Sequence, residues 1–209
     1  GDRTGFSVSD AGDVNGDGFD DLIIGAPGID SNREKSGAGY VVFGKSAGFN
    51  GTFDLSSLNG NNGFRLNDND NINVYLAELL GHAVSSAGDV NGDGFDDFMI
   101  GAPHANDYEG DSAGACYVVF GRASGFTSEL NLSMLDTSSG FSVSRHHGSE
   151  IGRVISNAGD INGDGFDDLI FSRYFERMET SYSGPRFVVF GKAEGVPDKP
   201  VYFWEPEYA

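Results

Sequence analysis

Asp13-Val14-Asn15-Gly16-Asp17-Gly18-Phe19-Asp20-Asp21 decides the fold, because nearly the same nine residues occur three times in this chain. The copies lie at residues 89–97 and, with Ile in place of Val, at residues 160–168, so successive copies start 76 and 71 residues apart. Each copy follows the dipeptide Ala-Gly and runs directly into an apolar segment. So long a spacing predicts a protein built from similar modules, such as propeller blades.

Three segments accompany each loop and predict three β-strands. A short stretch of small and β-branched residues leads into the loop, an apolar run leaves it, and a second apolar run ends in Phe-Gly. Such runs are typical of buried strands. In the first copy they are Phe6–Ser9, Leu22–Ile24 and Gly39–Gly44, and their counterparts are residues 83–86, 98–100, 115–121, 154–157, 169–171 and 186–191.

A fourth, less regular segment in each copy predicts an outer strand, at residues 52–55, 128–132 and 200–203. Each module is then a four-stranded antiparallel sheet, which buries both faces only by stacking on others around an axis. We therefore predict an all-β fold of three four-stranded antiparallel propeller blades. The repeats span about 5–66, 81–143 and 151–204 of a single domain, residues 1–209. Residues 60–73 and 136–150 are interpreted as links, with one or two helical turns at Val74–Leu80.

The composition excludes several classes of partner. The formal net charge is −19, and 12 of the 32 acidic residues lie in the three loops. Because a phosphate backbone requires a basic face, we predict no nucleic-acid binding and no attraction to an anionic membrane. No apolar run approaches the ~18 residues of a membrane span, so membrane insertion is not expected. The single cysteine, Cys116, allows no intrachain disulfide and is expected to pack inside a strand.

The loops carry the residue types of a Ca²⁺ site. Asp, Asn and Asp at positions 1, 3 and 5 present oxygens toward one centre when the chain curls, and Gly at position 6 permits the turn. The backbone carbonyl at position 7 and Asp at position 9 add further oxygens, and Ca²⁺ accepts more protein ligands than Mg²⁺ does. The predicted ligands of three Ca²⁺ sites are Asp13, Asn15, Asp17, Phe19 and Asp21; Asp89, Asn91, Asp93, Phe95 and Asp97; and Asp160, Asn162, Asp164, Phe166 and Asp168.

Simpler explanations account for less of the pattern. A plain Asp-Gly hairpin turn explains positions 5 and 6 but not the other acidic and amide groups. An EF-hand requires Glu at position 12, where this chain has Ile24, Ile100 and Phe171. Asp at position 8 (Asp20, Asp96 and Asp167) is expected to point away from the cation or to hydrogen-bond the turn.

These motifs resemble the FG-GAP repeats of integrin α-subunit β-propellers and their bacterial relatives. Phe43-Gly44, Phe120-Gly121 and Phe190-Gly191 match the Phe-Gly part, whereas Gly25-Ala26-Pro27 and Gly101-Ala102-Pro103 match the Gly-Ala-Pro part. The regular sequence of the loops resembles that of bacterial extracellular members more than that of animal integrins. The resemblance implies a calcium-binding, non-enzymatic module for adhesion or ligand recognition at the cell surface or outside the cell, with Ca²⁺ as scaffold.

Two features depart from the family pattern. The third repeat has Ser172-Arg173-Tyr174 where Gly-Ala-Pro is expected, which is interpreted as a terminal or interface blade. Three blades are also fewer than the four or more of a closed propeller. The chain is therefore incomplete as a single-chain propeller, and we expect either a homo-oligomer or a longer parent chain.

Three functions stay open on the sequence. The first is recognition of a protein or glycan ligand through unequal loops at 28–37, 60–75, 104–113 and 172–184, which hold His104, Tyr108, Arg173, Tyr174 and Tyr182. The second is a structural subunit that completes a propeller by oligomerisation. The third is an accessory domain of a larger secreted hydrolase. We predict no enzymatic activity, because no catalytic motif is present and the four His, including His146-His147, do not recur at matching positions.

Overall fold

The computed structural model describes residues 2–29, 36–68, 79–105, 114–144, 150–174, 183–193 and 201–203. These residues form thirteen β-strands in three sheets and two short 3-10 helices, with no α-helix among them. No helix in this part of the chain has the length and hydropathy needed to cross a membrane. The prediction of an all-β fold is confirmed.

Each sheet contains one copy of the acidic loop. The first has the order β1-β2-β3-β4-β8 and consists of β1 (Ser7–Gly12), β2 (Asp21–Gly25), β3 (Gly39–Val42), β4 (Gly63–Asn67) and β8 (Glu129–Asn131). The second has the order β5-β6-β7-β9 and consists of β5 (Ala83–Gly88), β6 (Asp97–Ala102), β7 (Ala115–Val119) and β9 (Gly140–Ser144). The third has the order β10-β11-β12-β13 and consists of β10 (Val154–Gly159), β11 (Asp168–Tyr174), β12 (Ser183–Val189) and β13 (Val201–Phe203). Four strands of each sheet pair antiparallel, which confirms the three four-stranded blades.

The fourth strand of the first two sheets is not where the sequence predicts it. It is β4 and β9, which lie in the stretches interpreted as links, whereas β13 agrees with the predicted strand at residues 200–203. Residues 52–55 form no strand but lead into a 3-10 helix at Leu55–Ser57, which Asp54 caps by accepting from the Ser56 N–H. The helical turns predicted at Val74–Leu80 fall outside the described residues except for Leu79 and Leu80.

The predicted strand at residues 128–132 exists as β8, but it belongs to the first sheet. It lies parallel to β4, with Arg65 opposite Glu129, and the Arg65 N–H donates to the Ser128 carbonyl at 2.9 Å. A strand needs an edge to pair with, and β4 provides that edge for the second repeat. In the described part of the chain the corresponding residues of the first repeat have no such edge, which explains why they form no strand.

The core lies between neighbouring sheets. Phe64 of β4 and Phe98 of β6 are fully buried, with ring centroids 6.1 Å apart, in a cluster that joins the first and second sheets. Met99, Cys116 and Phe171 belong to a second cluster that joins the second and third sheets. The packing role predicted for Cys116 is therefore confirmed. Because each cluster draws on two sheets, a single repeat has no complete core of its own.

Candidate metal centre

The three acidic loops connect the first two strands of each sheet. A register shift between Asp10 and Gly12 of β1 marks the entry to the first loop, and the same irregularity precedes the other two. Gly16 and Gly18 have φ angles of +72° and +88°, a left-handed conformation that glycine adopts without steric cost. These glycines allow the loop to curl so tightly that its peptide N–H groups face inward.

The inward N–H groups are held by the side chains at positions 1, 3 and 5. The Asp13 carboxylate accepts from the N–H groups of Asp17 at 3.0 Å and Gly18 at 2.8 Å. The Asn15 side-chain oxygen accepts from the Asp17 N–H at 2.9 Å, and the Asp17 carboxylate accepts from the Phe19 N–H at 3.0 Å. The structure thus brings three of the five predicted ligands of the first loop together on one curl.

The second and third loops repeat this geometry. Asp89 accepts from the N–H groups of Asp93 at 3.1 Å and Gly94 at 2.9 Å. In the third loop Asp160 accepts from Asp164 at 3.1 Å and Gly165 at 2.8 Å, and the second of these bonds is the main cause of a lowered Asp160 pKa. The amides of Asn91 and Asn162 accept and donate as Asn15 does. The similarity between the loops is therefore one of geometry as well as sequence.

Asp at position 9 is held differently, beneath the curl. Asp21 is fully buried, and its carboxylate accepts from the Val14 N–H at 3.1 Å and from the Gly44 N–H at 2.8 Å. Asp97 and Asp168 are likewise buried and accept from Gly121 at 2.9 Å and Gly191 at 3.0 Å. The Gly of each Phe-Gly motif is thus the donor that ties the third strand to the loop.

Burial places an electrostatic cost on these carboxylates. It raises the pKa of Asp21 to about 7 and that of Asp97 to about 8, although two backbone N–H bonds to each side chain act in the opposite direction. The charges of Asp17 and Asp13 raise the pKa of Asp21 further, as those of Asp93 and Asp89 do for Asp97.

Positions 7 and 8 make contacts that the metal-site pattern does not predict. Asp96 accepts from the Asp13 N–H at 2.8 Å, and the ring of Phe95 lies against Gly16, so both residues contact the preceding repeat. Asp96 and Asp167 point away from their own loops, as expected, but each bonds the loop of the preceding repeat, a partner that was not predicted. The sequence did contain a signal for these contacts, because all three loops have Phe-Asp at positions 7 and 8. A ligand that uses only its backbone carbonyl requires no particular side chain, so the repeated Phe indicates a further role.

The complete ligand sets remain a prediction. Among the described residues, no three Asp, Glu, His or Cys side chains are grouped closely enough to hold a metal ion by themselves. Of the residues expected to bind a partner, His104 is half-buried and Arg173 and Tyr174 end β11, whereas Tyr108 and Tyr182 lie outside the described residues. His146 and His147, for which no catalytic role is predicted, also lie outside them.

Comparison with known proteins finds the same motifs. The family model described as FG-GAP repeat matches residues 6–42 and 80–119. Integrin alpha-4 of Xenopus laevis is 31% identical over 164 residues, or 78% of this chain, and integrin alpha-V of Gallus gallus is 29% identical over 175 residues, or 81% of this chain. Integrin alpha-PS3 of Drosophila melanogaster is 34% identical over 104 residues. The aligned region covers only 14% and 15% of the length of the first two relatives.

Proposed function

Because this chain is an FG-GAP repeat protein related to integrin α subunits, we propose that it is a calcium-binding, non-enzymatic β-propeller module that recognises a ligand at the cell surface or outside the cell. The observation that carries the calcium proposal is the triple occurrence of one loop geometry. In each copy two carboxylates and an amide meet on a single curl of backbone.

The oxygens of these loops suit a hard cation. Carboxylate and amide oxygens with a backbone carbonyl are the ligands that Ca²⁺ prefers, and they come from a short flexible loop. Each carboxylate oxygen has two acceptor positions, so Asp13 and Asp21 can bond N–H groups and still face a cation. Burial, and to a lesser degree repulsion between neighbouring Asp side chains, raises the pKa values of Asp21 and Asp97. A cation beside these carboxylates would offset both effects, because it favours their charged form.

Calcium acts in this proposal as scaffold. The loop joins two strands, and its position 9 carboxylate ties in the Phe-Gly motif of a third. A cation held there stabilises the arrangement of three strands in each sheet and needs no role in chemistry. Ligand recognition is assigned to the unequal loops at 28–37, 60–75, 104–113 and 172–184, for a protein or glycan partner.

Calcium titration with single-site variants tests the proposal. We expect wild-type chain to bind three Ca²⁺, and Asp17→Ala, Asp93→Ala and Asp164→Ala to lose one each. The exposed Asp10→Ala is a matched acidic control outside the predicted ligand sets and should keep all three. Absence of calcium binding by wild-type chain at millimolar calcium would contradict the proposal. Screening immobilised cell-surface proteins and glycans, with the loop 28–37 replaced by Gly-Ser as control, tests ligand recognition separately.

Assembly with a second copy is the alternative, and one observation favours it. Leu22 on the first sheet is 49% exposed, whereas its counterpart Phe98 is fully buried against the preceding sheet. Ile161, in the acidic loop of the third sheet, is 53% exposed, whereas its counterpart Val14 is fully buried. Light scattering in calcium and in EDTA decides the matter: a multiple of the chain mass of 22.2 kDa supports assembly, and the single-chain mass contradicts it.

A further inference from the structure

Consecutive acidic loops are joined to each other by the Asp at position 8. The Asp96 carboxylate of the second loop accepts from the Asp13 N–H at 2.8 Å, and the Asp96 N–H donates to the Asp13 carbonyl at 3.3 Å. Asp167 of the third loop bonds Asp89 in the same way, at 3.0 Å and 3.2 Å. In two loops, the backbone N–H and the backbone carbonyl of the residue at position 1 are thus both bonded by one residue of the next repeat.

Other groups of the second repeat enclose the first loop from further directions. The Phe95 ring lies so close to Gly16 that a Cβ at that position would overlap it. The Arg122 N–H, next to the Phe-Gly motif, donates to the Val14 carbonyl at 2.9 Å. Phe166 and Lys192 make the same contacts with Gly92 and Val90 of the second loop.

The third loop lacks this support among the described residues. Ile161 is 53% exposed, whereas its counterparts Val14 and Val90 are 0% and 3% exposed. An added Cβ on Gly163 would meet nothing within 4 Å. The three loops therefore share one internal geometry but differ in what holds them from outside.

From this difference we propose that Asp96 and Asp167 are positioning residues, each of which orients the cation loop of the preceding repeat. Asp96 bonds both the backbone N–H and the backbone carbonyl of Asp13, and the Asp13 carboxylate is predicted to occupy ligand position 1. Asp96 also follows Phe95, whose carbonyl is a predicted ligand of the second loop, so two residues connect neighbouring sites. The calcium part of this inference rests on the proposed function, whereas the hydrogen bond to Asp13 does not.

Asp20 provides a matched control within the chain. It occupies position 8 of the first loop and is exposed. Among the described residues there is no acidic loop before the first one, so Asp20 has no preceding loop to bond. Asp96→Ala and Asp20→Ala remove the same group at the same loop position and the same unit of charge. Only Asp96→Ala removes a bond to another loop.

The test is calcium titration followed by NMR, with amide signals of each loop read separately. We expect Asp96→Ala to weaken calcium binding in the first loop by roughly 10- to 100-fold, the usual effect of removing a group that orients a ligand. Binding in the third loop should stay unchanged, which a general loss of stability would not allow. Asp96→Ala should also accelerate hydrogen exchange of the Asp13 amide in EDTA, whereas Asp20→Ala should not.

The outcomes separate this inference from the calcium proposal. If wild-type chain binds no calcium, the proposed function fails, and Asp13 exchange alone decides whether Asp96 orients the loop. Equal Asp13 exchange and equal first-loop affinity in Asp96→Ala and Asp20→Ala would overturn the inference. Should Asp96→Ala not fold, Asp167→Ala makes the same comparison at Asp89 of the second loop, and an unchanged second loop there would overturn it as well.

Discussion

Asp97→Ala is expected to destabilise the protein whether or not calcium is present. The Asp97 carboxylate is fully buried and accepts from the Val90 N–H at 3.0 Å and the Gly121 N–H at 2.9 Å. Val90 belongs to the loop and Gly121 follows the third strand, so this side chain joins two parts of the repeat. Alanine leaves both N–H groups without their acceptor in a buried place.

The size of the loss follows from those two donors. A buried hydrogen-bonding group left without a partner costs about 1–3 kcal/mol, so two of them predict a loss of roughly 2–6 kcal/mol in the free energy of unfolding. Asp93→Ala is the matched comparison, because Asp93 is an exposed carboxylate of the same loop that accepts from the Phe95 N–H at 3.0 Å. Water can replace that acceptor, so its loss without calcium should be no more than about 1 kcal/mol.

Urea unfolding in EDTA and in calcium measures both variants. In EDTA the transition of Asp97→Ala should lie at clearly lower urea than that of Asp93→Ala. In calcium Asp93→Ala should lose additional stability relative to wild-type chain, because it removes a predicted ligand. Coincident transitions of the two variants in EDTA would refute the assignment of Asp97 as a structural link between loop and strand.

Three further predictions concern calcium, the cysteine and a glycine. At about tenfold excess over its dissociation constant each bound Ca²⁺ adds ~1.4 kcal/mol, so three sites predict a fall in Tm of roughly 8–16 °C on chelation; an unchanged melting curve in EDTA would contradict structural calcium. Burial raises the pKa of the Cys116 thiol to about 12, so a thiol reagent at pH 8 should modify it only as fast as the protein unfolds, and rapid labelling of folded protein would contradict its burial. Gly101→Ala should cost about 1–3 kcal/mol, because the added methyl meets the backbone of Gly152 in the next repeat; Ser172→Ala, at the matching position of the last repeat, is the control, and equal urea midpoints would contradict the predicted clash.

The curl of each loop agrees with the spacing of its residues, whereas the metal-ligand sets themselves stay a prediction. Asp13, Asn15 and Asp17 meet as their spacing predicts, because glycines with positive φ curl the chain between them. The role of Asp96 was not predictable in this way, since its partner Asp13 lies 83 residues earlier. Likewise Asp21 carries the expected residue type, but its bond to Gly44 depends on the position of a distant strand.

The strands, too, could be located from the sequence only where a local apolar pattern marks them. The apolar runs of β2, β6 and β11 follow the loops directly, and the sequence locates them because strands covered on both faces need continuous apolar residues. The fourth strands were misplaced, although Gly63-Phe64-Arg65-Leu66 and Gly140-Phe141-Ser142-Val143 share an alternating pattern that marks β4 and β9. This alternating pattern is short and less regular than the acidic loops. Whether it or the segment at residues 52–55 forms the fourth strand depends on which of them lies beside the free edge of the third strand.

By itself the sequence determines the all-β class, the three repeats and the residue types of the candidate cation loops, because these depend on short-range spacing and local turn chemistry. The tertiary structure decides how the repeats are joined: β8 completes the sheet of the preceding repeat, Phe95 covers Gly16, and Asp96 bonds the Asp13 peptide. These contacts link residues 64 to 83 positions apart, a distance at which only packing of complete sheets brings groups together. The nine-residue loop therefore has two parts: positions 1, 3 and 5 shape the curl proposed to hold calcium, and positions 7 and 8 of the second and third loops attach their repeats to the preceding one.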